Sequence, residues 1–343
     1  MAPCRFLPRT LGLAAALAAL ASPAAARADD LEASFDSTFG TAARSPQSFD
    51  AIYAGSLQQR IAELANPALG RIGVAALDLS TGEEVMVLGD QLFPMASTSK
   101  IAVAATFLEQ VERGRYSLTS EFPLLLPVAS AKFSSPKAPV RPGQYMPAID
   151  LIEIMITRSS NPATDALLAA VGGPAVVNDW MRRHGITEFS INRDIATLVR
   201  DDGEYNPASV IDPRDAATPR AMVRLLAGLY RGEFLSAESR AVILGAMSRT
   251  VTGKRRIPAH IPLEARVSHK TGSLNNTSSD IGIIETPDGR AIAVAIYVTG
   301  QGSKAAREER IAAIARALYD GFAARAQLSP PRNWANAPYG TGG

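Results

Sequence analysis

Apolar side chains recur at helical spacing at Phe49, Ile52, Tyr53, Leu57, Ile61 and Leu64, and predict a helix over residues 49–64. Strand formers follow over 71–79, and the turn Ser80-Thr81-Gly82 lets 83–88 return as the second strand of a hairpin. A matching hairpin lies near the other end: 280–285, the turn Pro287-Asp288-Gly289, then 291–298, with a further strand over 266–271. The closing stretch 303–326 carries Ala305, Ile311, Ile314, Ala315, Leu318 and Phe322 as a helical stripe able to cover one sheet face. Between 91 and 257 helical periods dominate, over 97–112, 149–157, 162–171, 218–230 and 236–247. Two stretches, 125–145 with its four prolines and 193–219, read as long loops, which in a folded domain are functional or mobile. No internal repeat is visible, and 328–343, rich in Pro, Gly and Asn, reads as a loose tail.

The pattern therefore predicts an α+β fold of two lobes within one domain, residues 29–327. A five-stranded antiparallel sheet flanked by terminal helices is built from both chain ends, about 49–90 and 258–326. An all-helical lobe, about 91–257, is inserted between them. With 343 residues, 47% of them hydrophobic and 20% charged, the chain can bury a full core.

The formal charge of +2 changes meaning once the N-terminus is read separately. Residues 1–28 hold Arg5, Arg9 and Arg27, an apolar run over 11–21 and Ala26-Arg27-Ala28 before Asp29-Asp30, the grammar of a secretory signal peptide cleaved after Ala28. The run is shorter than the roughly 18 to 20 residues of a bilayer span. Without this stretch 32 basic side chains face 33 acidic ones, which removes a global electrostatic case for nucleic-acid or anionic-membrane binding. Cys4 is the sole cysteine, so a processed chain carries no thiol or disulfide. The expectation is an exported, periplasmic or secreted protein with no stable membrane anchor after processing, and a monomer.

Candidate chemistry begins at Ser97-Thr98-Ser99-Lys100, directly before an apolar run. Lys100 lies one turn after Ser97, on the same helix face. A buried lysine loses its proton more readily and can activate a hydroxyl, and the helix start adds positive potential where an oxyanion would form. Read alone, the motif is first a serine N-cap beside a solvated lysine, although an unpaired Lys100 at the start of so apolar a helix would be costly. Ser159-Ser160-Asn161-Pro162 is likewise readable as an Asn161 cap with proline opening a helix, or as a proton relay (Ser159) and an amide that holds a substrate carbonyl (Asn161). His269-Lys270-Thr271-Gly272-Ser273 lies on a predicted strand, where a lysine with hydroxyls can bind a carboxylate and Gly272 lets another backbone approach.

These motifs occur in the order S-x-x-K, S-x-N and K-T-G, separated by 62 and then 111 residues. Over 49–326 the chain resembles the class A β-lactamase-like serine hydrolases, within the serine β-lactamase and penicillin-binding protein superfamily, and residues 214–222 resemble that family's segment after its omega loop. The resemblance implies Ser97 as the acylated nucleophile, Lys100 as its general-base partner, Ser159 as the proton relay, Asn161 as a substrate-amide contact and Lys270 with Thr271 as the carboxylate anchor. It further implies an oxyanion hole from the backbone N–H groups of Ser97 and Ser273, and Arg200 with Asp215 as the pair closing the omega loop. Two departures stand out. Ser160 replaces the usual aspartate of S-D-N. Counted without gaps, the loop's water-activating glutamate falls on Asp202 and its water-holding asparagine on Asn206, with Glu204 the other candidate base. Aspartate is one methylene shorter, and misplacement by about 1 Å can slow a step about 100-fold.

The activity implied is hydrolysis of β-lactams through a serine ester, slowed by the shorter carboxylate, with no metal or cofactor. Two alternatives stay open: a penicillin-binding D-alanyl-D-alanine peptidase-like protein acting on peptidoglycan-like peptides, and a non-catalytic sensor that keeps the groove. Other motifs carry less. Residues 299–305 mimic a dinucleotide fingerprint, but too little chain follows for the second strand it requires. His184, His260 and His269 lack metal spacing and read as surface or packing residues, and Lys254-Arg255-Arg256 reads as a solvated basic run.

Overall fold

Five strands pair edge to edge in the computed structural model, which describes residues 55–328: β1 (Ile72–Asp78), β2 (Glu84–Val87), β8 (Arg266–Leu274), β9 (Thr277–Glu285) and β10 (Ala291–Thr299). They run antiparallel in the order β2-β1-β10-β9-β8, so the two hairpins predicted from opposite chain ends meet along β1 and β10, from Ile72 opposite Val298 to Asp78 opposite Ile292. Both faces of β1, β9 and β10 are covered, which is why these strands are apolar almost throughout rather than alternating.

The outer face packs under α1 (Ser56–Leu64) and α9 (Lys304–Leu328). Leu57 and Ile61 of α1 join Val74, Ile296, Ile311, Leu318 and Phe322 in one core layer. The predicted start at Phe49 and the signal peptide of residues 1–28 lie outside the described residues, as does the tail beyond 328. The inner face carries the helical lobe: α2 (Lys100–Glu112), α3 (Ala148–Thr157), α4 (Asn161–Val171), α5 (Pro174–Arg183), α6 (Ile195–Arg200), α7 (Pro219–Arg231) and α8 (Ala237–Ser248). Ala75, Ile281, Ala293 and Tyr297 of the sheet share a second core with Ile101, Phe107, Leu167 and Leu226 of these helices. α2 runs through the middle of that core, with ten of its thirteen residues buried.

The expected loop at 125–145 is instead a two-stranded ribbon, β4 (Glu121–Pro127) with β5 (Val140–Pro147). Two strands leave both outer edges free, so prolines that would break a sheet interior are tolerated there. Three strands of two residues each, β3 (Phe93–Pro94), β6 (Phe189–Ser190) and β7 (Ala216–Ala217), pair in the order β3-β7-β6 and close the lobe junction.

Candidate active site

Ser97 does not open the α-helix, as its spacing from Lys100 suggests; it lies in a 3-10 turn, Ala96–Ser99, and α2 begins at Lys100. The turn is entered through left-handed backbone at Ala96 (φ 49°), a conformation that costs a β-carbon residue about 1 kcal/mol or more. Surrounding bonds hold it there. The Met95 amide donates to Asp215 O (3.1 Å), and the Thr98 hydroxyl meets both Met95 O (2.8 Å) and the Tyr297 hydroxyl (3.0 Å). The Ser99 hydroxyl donates to Ala96 O (2.9 Å). Of the three hydroxyls in the turn, only that of half-buried Ser97 bonds to none of the described residues.

Lys100 is fully buried and donates to Ser159 O (2.8 Å), Asn161 Oδ1 (2.7 Å) and Ser159 Oγ (3.3 Å). Asn161 is free for this because Ser160, not Asn161, caps α4: the Ser160 hydroxyl accepts from the Ala163 amide, with Pro162 in the first turn. The serine that replaces the motif's aspartate is thus a capping residue. Ser159 itself has left-handed backbone (φ 58°), which turns its hydroxyl toward both lysines.

From the opposite wall, Lys270 on the edge strand β8 donates to Ser159 Oγ (2.9 Å) and Thr271 O (2.9 Å). The hydroxyls of Thr271 and Thr252 are 2.7 Å apart. A Cβ on Gly272 would fall 2.6 Å from Met95 O and 3.1 Å from Ala96 Cβ, so only glycine lets this strand lie against the Ser97 turn. Burial, reinforced by the charge of Lys270, pushes Lys100 well below the ordinary lysine value, with Asp165 opposing. Burial also lowers Lys270, to about 7, with Asp280 opposing and Arg256 reinforcing.

Ser97, Lys100, Ser159, Asn161, Lys270, Thr271, Gly272 and Ser273 therefore line the junction of the two lobes. The residues expected from the omega loop do not join them. Asp202 turns its carboxylate to the Asn275 amide (2.7 Å). Asn206 Oδ1 accepts from the Ala208 amide and from Asn276 Nδ2, and Glu204 pairs with Arg214 (2.6 Å). Arg200 does not close the loop with Asp215: it pairs with Asp201 (2.7 Å) and holds Ser135 of the ribbon. Arg193 takes that place, its Nε 2.6 Å from Asp215 Oδ2. The gapless count fails because the arginine that meets Asp215 stands seven positions before Arg200 (200 − 193 = 7), with α6 lying between it and Asp215.

Three contributors escaped the sequence. Arg256, expected in a solvated run, is 2% exposed and donates to Gly272 O (2.8 Å), Ser279 O (2.7 Å) and Ser273 Oγ (2.7 Å), with Glu308 as its counter-ion. His269, expected at the surface or in packing, takes the packed place, buried against Asp280 (2.9 Å). Asp165, 4% exposed, accepts from the amides of Ile195 (2.7 Å) and Ala196 (2.9 Å). Its place four residues after Asn161 on one helix face was the available signal. Burial raises its carboxyl to about 6, against those amide bonds.

A model of the beta-lactamase enzyme family matches residues 56–322. Beta-lactamase CTX-M-8 of Citrobacter amalonaticus is 32% identical over 274 residues, spanning 78% of this chain and 90% of that protein. Among solved structures, an ancestral class A β-lactamase aligns with a TM-score of 0.67 at 33% identity, over 78% of this chain and all of the other. PBP-A, a variant of which was solved as an acyl-enzyme complex with penicillin G, aligns with a TM-score of 0.65 at 28% identity, over 78% of this chain and 96% of the other.

Proposed function

This chain belongs to the beta-lactamase enzyme family, and from that premise we propose how its residues open a β-lactam ring through an ester on Ser97. The observation that carries the reading is the Lys100–Ser159–Lys270 chain at the lobe junction, beside a Ser97 hydroxyl that bonds to none of the described residues. A neutral Lys100 amine keeps two N–H donors for Ser159 O and Asn161 Oδ1, leaving its lone pair for a hydroxyl proton. Burial favours that neutral amine over the ammonium form.

Ser97 Oγ attacks the lactam carbonyl and its proton passes to Lys100. The N–H groups of Ser97 and Ser273 stabilise the oxyanion, worth about 3 kcal/mol per donor in comparable sites. As the C–N bond breaks, Ser159 delivers a proton to the ring nitrogen and draws its replacement from Lys100. Lys270 and Thr271 hold the substrate carboxylate, and Asn161 the side-chain amide. Arg256 fixes the rim by gripping Ser273 Oγ and Gly272 O. Water then cleaves the ester.

No helix among the described residues is long and apolar enough to cross a membrane. Residues 1–28 direct export, and the processed chain acts as a monomer. Incubating the protein with a chromogenic cephalosporin while following its intact mass tests the chemistry. Ring opening and an adduct are expected from the wild type, and neither from Ser97→Ala. Ring opening that survives Ser97→Ala refutes the assignment.

A further inference from the structure

Cleaving the Ser97 ester needs two groups at once. Water must lose a proton to a base as its oxygen bonds to the carbonyl, while the C–Oγ bond breaks and Ser97 regains a proton. Lys100, directed at Ser159 and one turn from Ser97, is the group that returns the serine's proton. A second base must therefore come from elsewhere. The segment from Arg193 to Asp215 packs against Asp165 and Asn161 of α4, and each of its own carboxylates is engaged away from Lys100. Asp194 caps the Thr197 amide (2.8 Å), Asp201 pairs with Arg200, and Asp202 accepts from Asn275. Glu204 and Asp212 pair with Arg214, and Asp215 with Arg193.

Asp165 raises the pKa of Lys100 against the effect of burial. Both of its oxygens are occupied by the amides of Ile195 and Ala196 at 2.7 and 2.9 Å, so it orients backbone rather than water. The segment it orients begins with Ile195, two residues beyond the arginine that closes the loop on Asp215. Ile195 lines a cavity of about 390 Å³ together with Asn161 and Asp165, and Asn161 Oδ1 is 2.7 Å from the Lys100 ammonium. The segment lines this space with Ile195, Ala196, Val199 and Arg200, hydrocarbon side chains and a cation, none of which can accept a proton.

We infer that Ile195 occupies the position from which a carboxylate would activate water against the Ser97 ester, and that acylation by penicillins therefore outruns hydrolysis in this protein. The inference rests on the acyl-enzyme reading above. It makes Asp165 a positioning residue and leaves Asp202 outside the chemistry.

Benzylpenicillin is the probe, and intact-mass spectrometry after rapid mixing the readout. In the wild type one adduct forms per chain and lasts minutes or longer. Ile195→Glu shortens its lifetime about 100-fold, the scale of a single general base, with the acylation rate changed less than tenfold. Ile195→Gln, which matches the shape without the charge, does not shorten it. Should glutamate prevent folding, Ile195→Ala with added formate supplies a carboxylate in the same space, and formate shortens the adduct lifetime in that variant but not in the wild type. A wild-type adduct that clears within seconds and that Asp202→Asn stabilises overturns the inference and returns the base to Asp202. A lasting adduct that neither Ile195→Glu nor formate rescue shortens overturns the role of Ile195. Neither adduct nor ring opening in the wild type is a different failure, that of the acyl-enzyme reading itself.

Discussion

Two ammonium groups share one serine hydroxyl in this site, and their opposite needs set its pH response. Lys100 must be neutral to take a proton, so acylation rises as pH passes its depressed pKa. Lys270 must be charged to attract a carboxylate, so binding of an anionic penicillin weakens as pH rises through about 7. Acylation by penicillins therefore gains as Lys100 loses its proton and declines as Lys270 loses its own, and a substrate analogue without the carboxylate keeps only the rising limb. Asp280 raises Lys270 from behind the strand, where it pairs with His269 and accepts from the Ile257 amide, while Arg256 acts in the opposite sense. Asp280→Asn is therefore expected to move the falling limb to lower pH. Stopped-flow acylation at a series of pH values measures it, and an unmoved or raised limb contradicts the electrostatic role of Asp280. None of this coupling is visible in K-T-G as a tripeptide, because it depends on β9 lying beside β8.

Long, strongly periodic elements were legible and short ones were not. The five strands and α2, α3, α4, α7, α8 and α9 appear where the hydrophobic spacing places them, within a few residues. α5 escaped because Gly172-Gly173-Pro174 reads as a break and only Val177, Trp180 and Met181 of the helix are buried. The omega segment misled the count for a related reason. α6 is six residues long, below the length at which periodicity speaks, yet it shifts the loop-closing arginine from position 200 to 193. That closure supports the nucleophile directly. Asp215 accepts from the amides of Asn192 and Arg193 and from Arg193 Nε, while its own carbonyl accepts from the Met95 amide beside the Ser97 turn. Arg193→Ala should lower stability by about 2 to 3 kcal/mol, the low end for a buried pair because the arginine is partly exposed. It should also speed amide exchange across both 193–215 and 95–99. Arg200→Ala loosens instead the pair with Asp201 and the contact with Ser135 of the ribbon. Hydrogen-exchange mass spectrometry separates them, and equal exchange at 95–99 in the two variants counts against the brace.

Chains of this size often unfold in stages, and two lobes with a site between them invite that outcome. The packing argues otherwise here. The sheet's inner face is not covered by its own helices: Ala75, Ile281, Ala293 and Tyr297 lie in the same core as the buried residues of α2, α4 and α7. Tyr297 also reaches across to Thr98 in the Ser97 turn, and the chain crosses from one lobe to the other at both ends of the helical insertion. Losing the helical lobe would expose one entire sheet face. At about 25 cal/mol per Å² of apolar surface, that penalty exceeds the few kcal/mol by which domains of this kind are stable. Neither lobe can then persist alone, and the fold should melt together with its chemistry. In urea, loss of helical circular dichroism and loss of Ser97 acylation should follow one curve with one midpoint. Acylation lost at a lower urea concentration than the helical signal would mean that the junction opens first, and that the shared core does not bind the lobes into one cooperative unit.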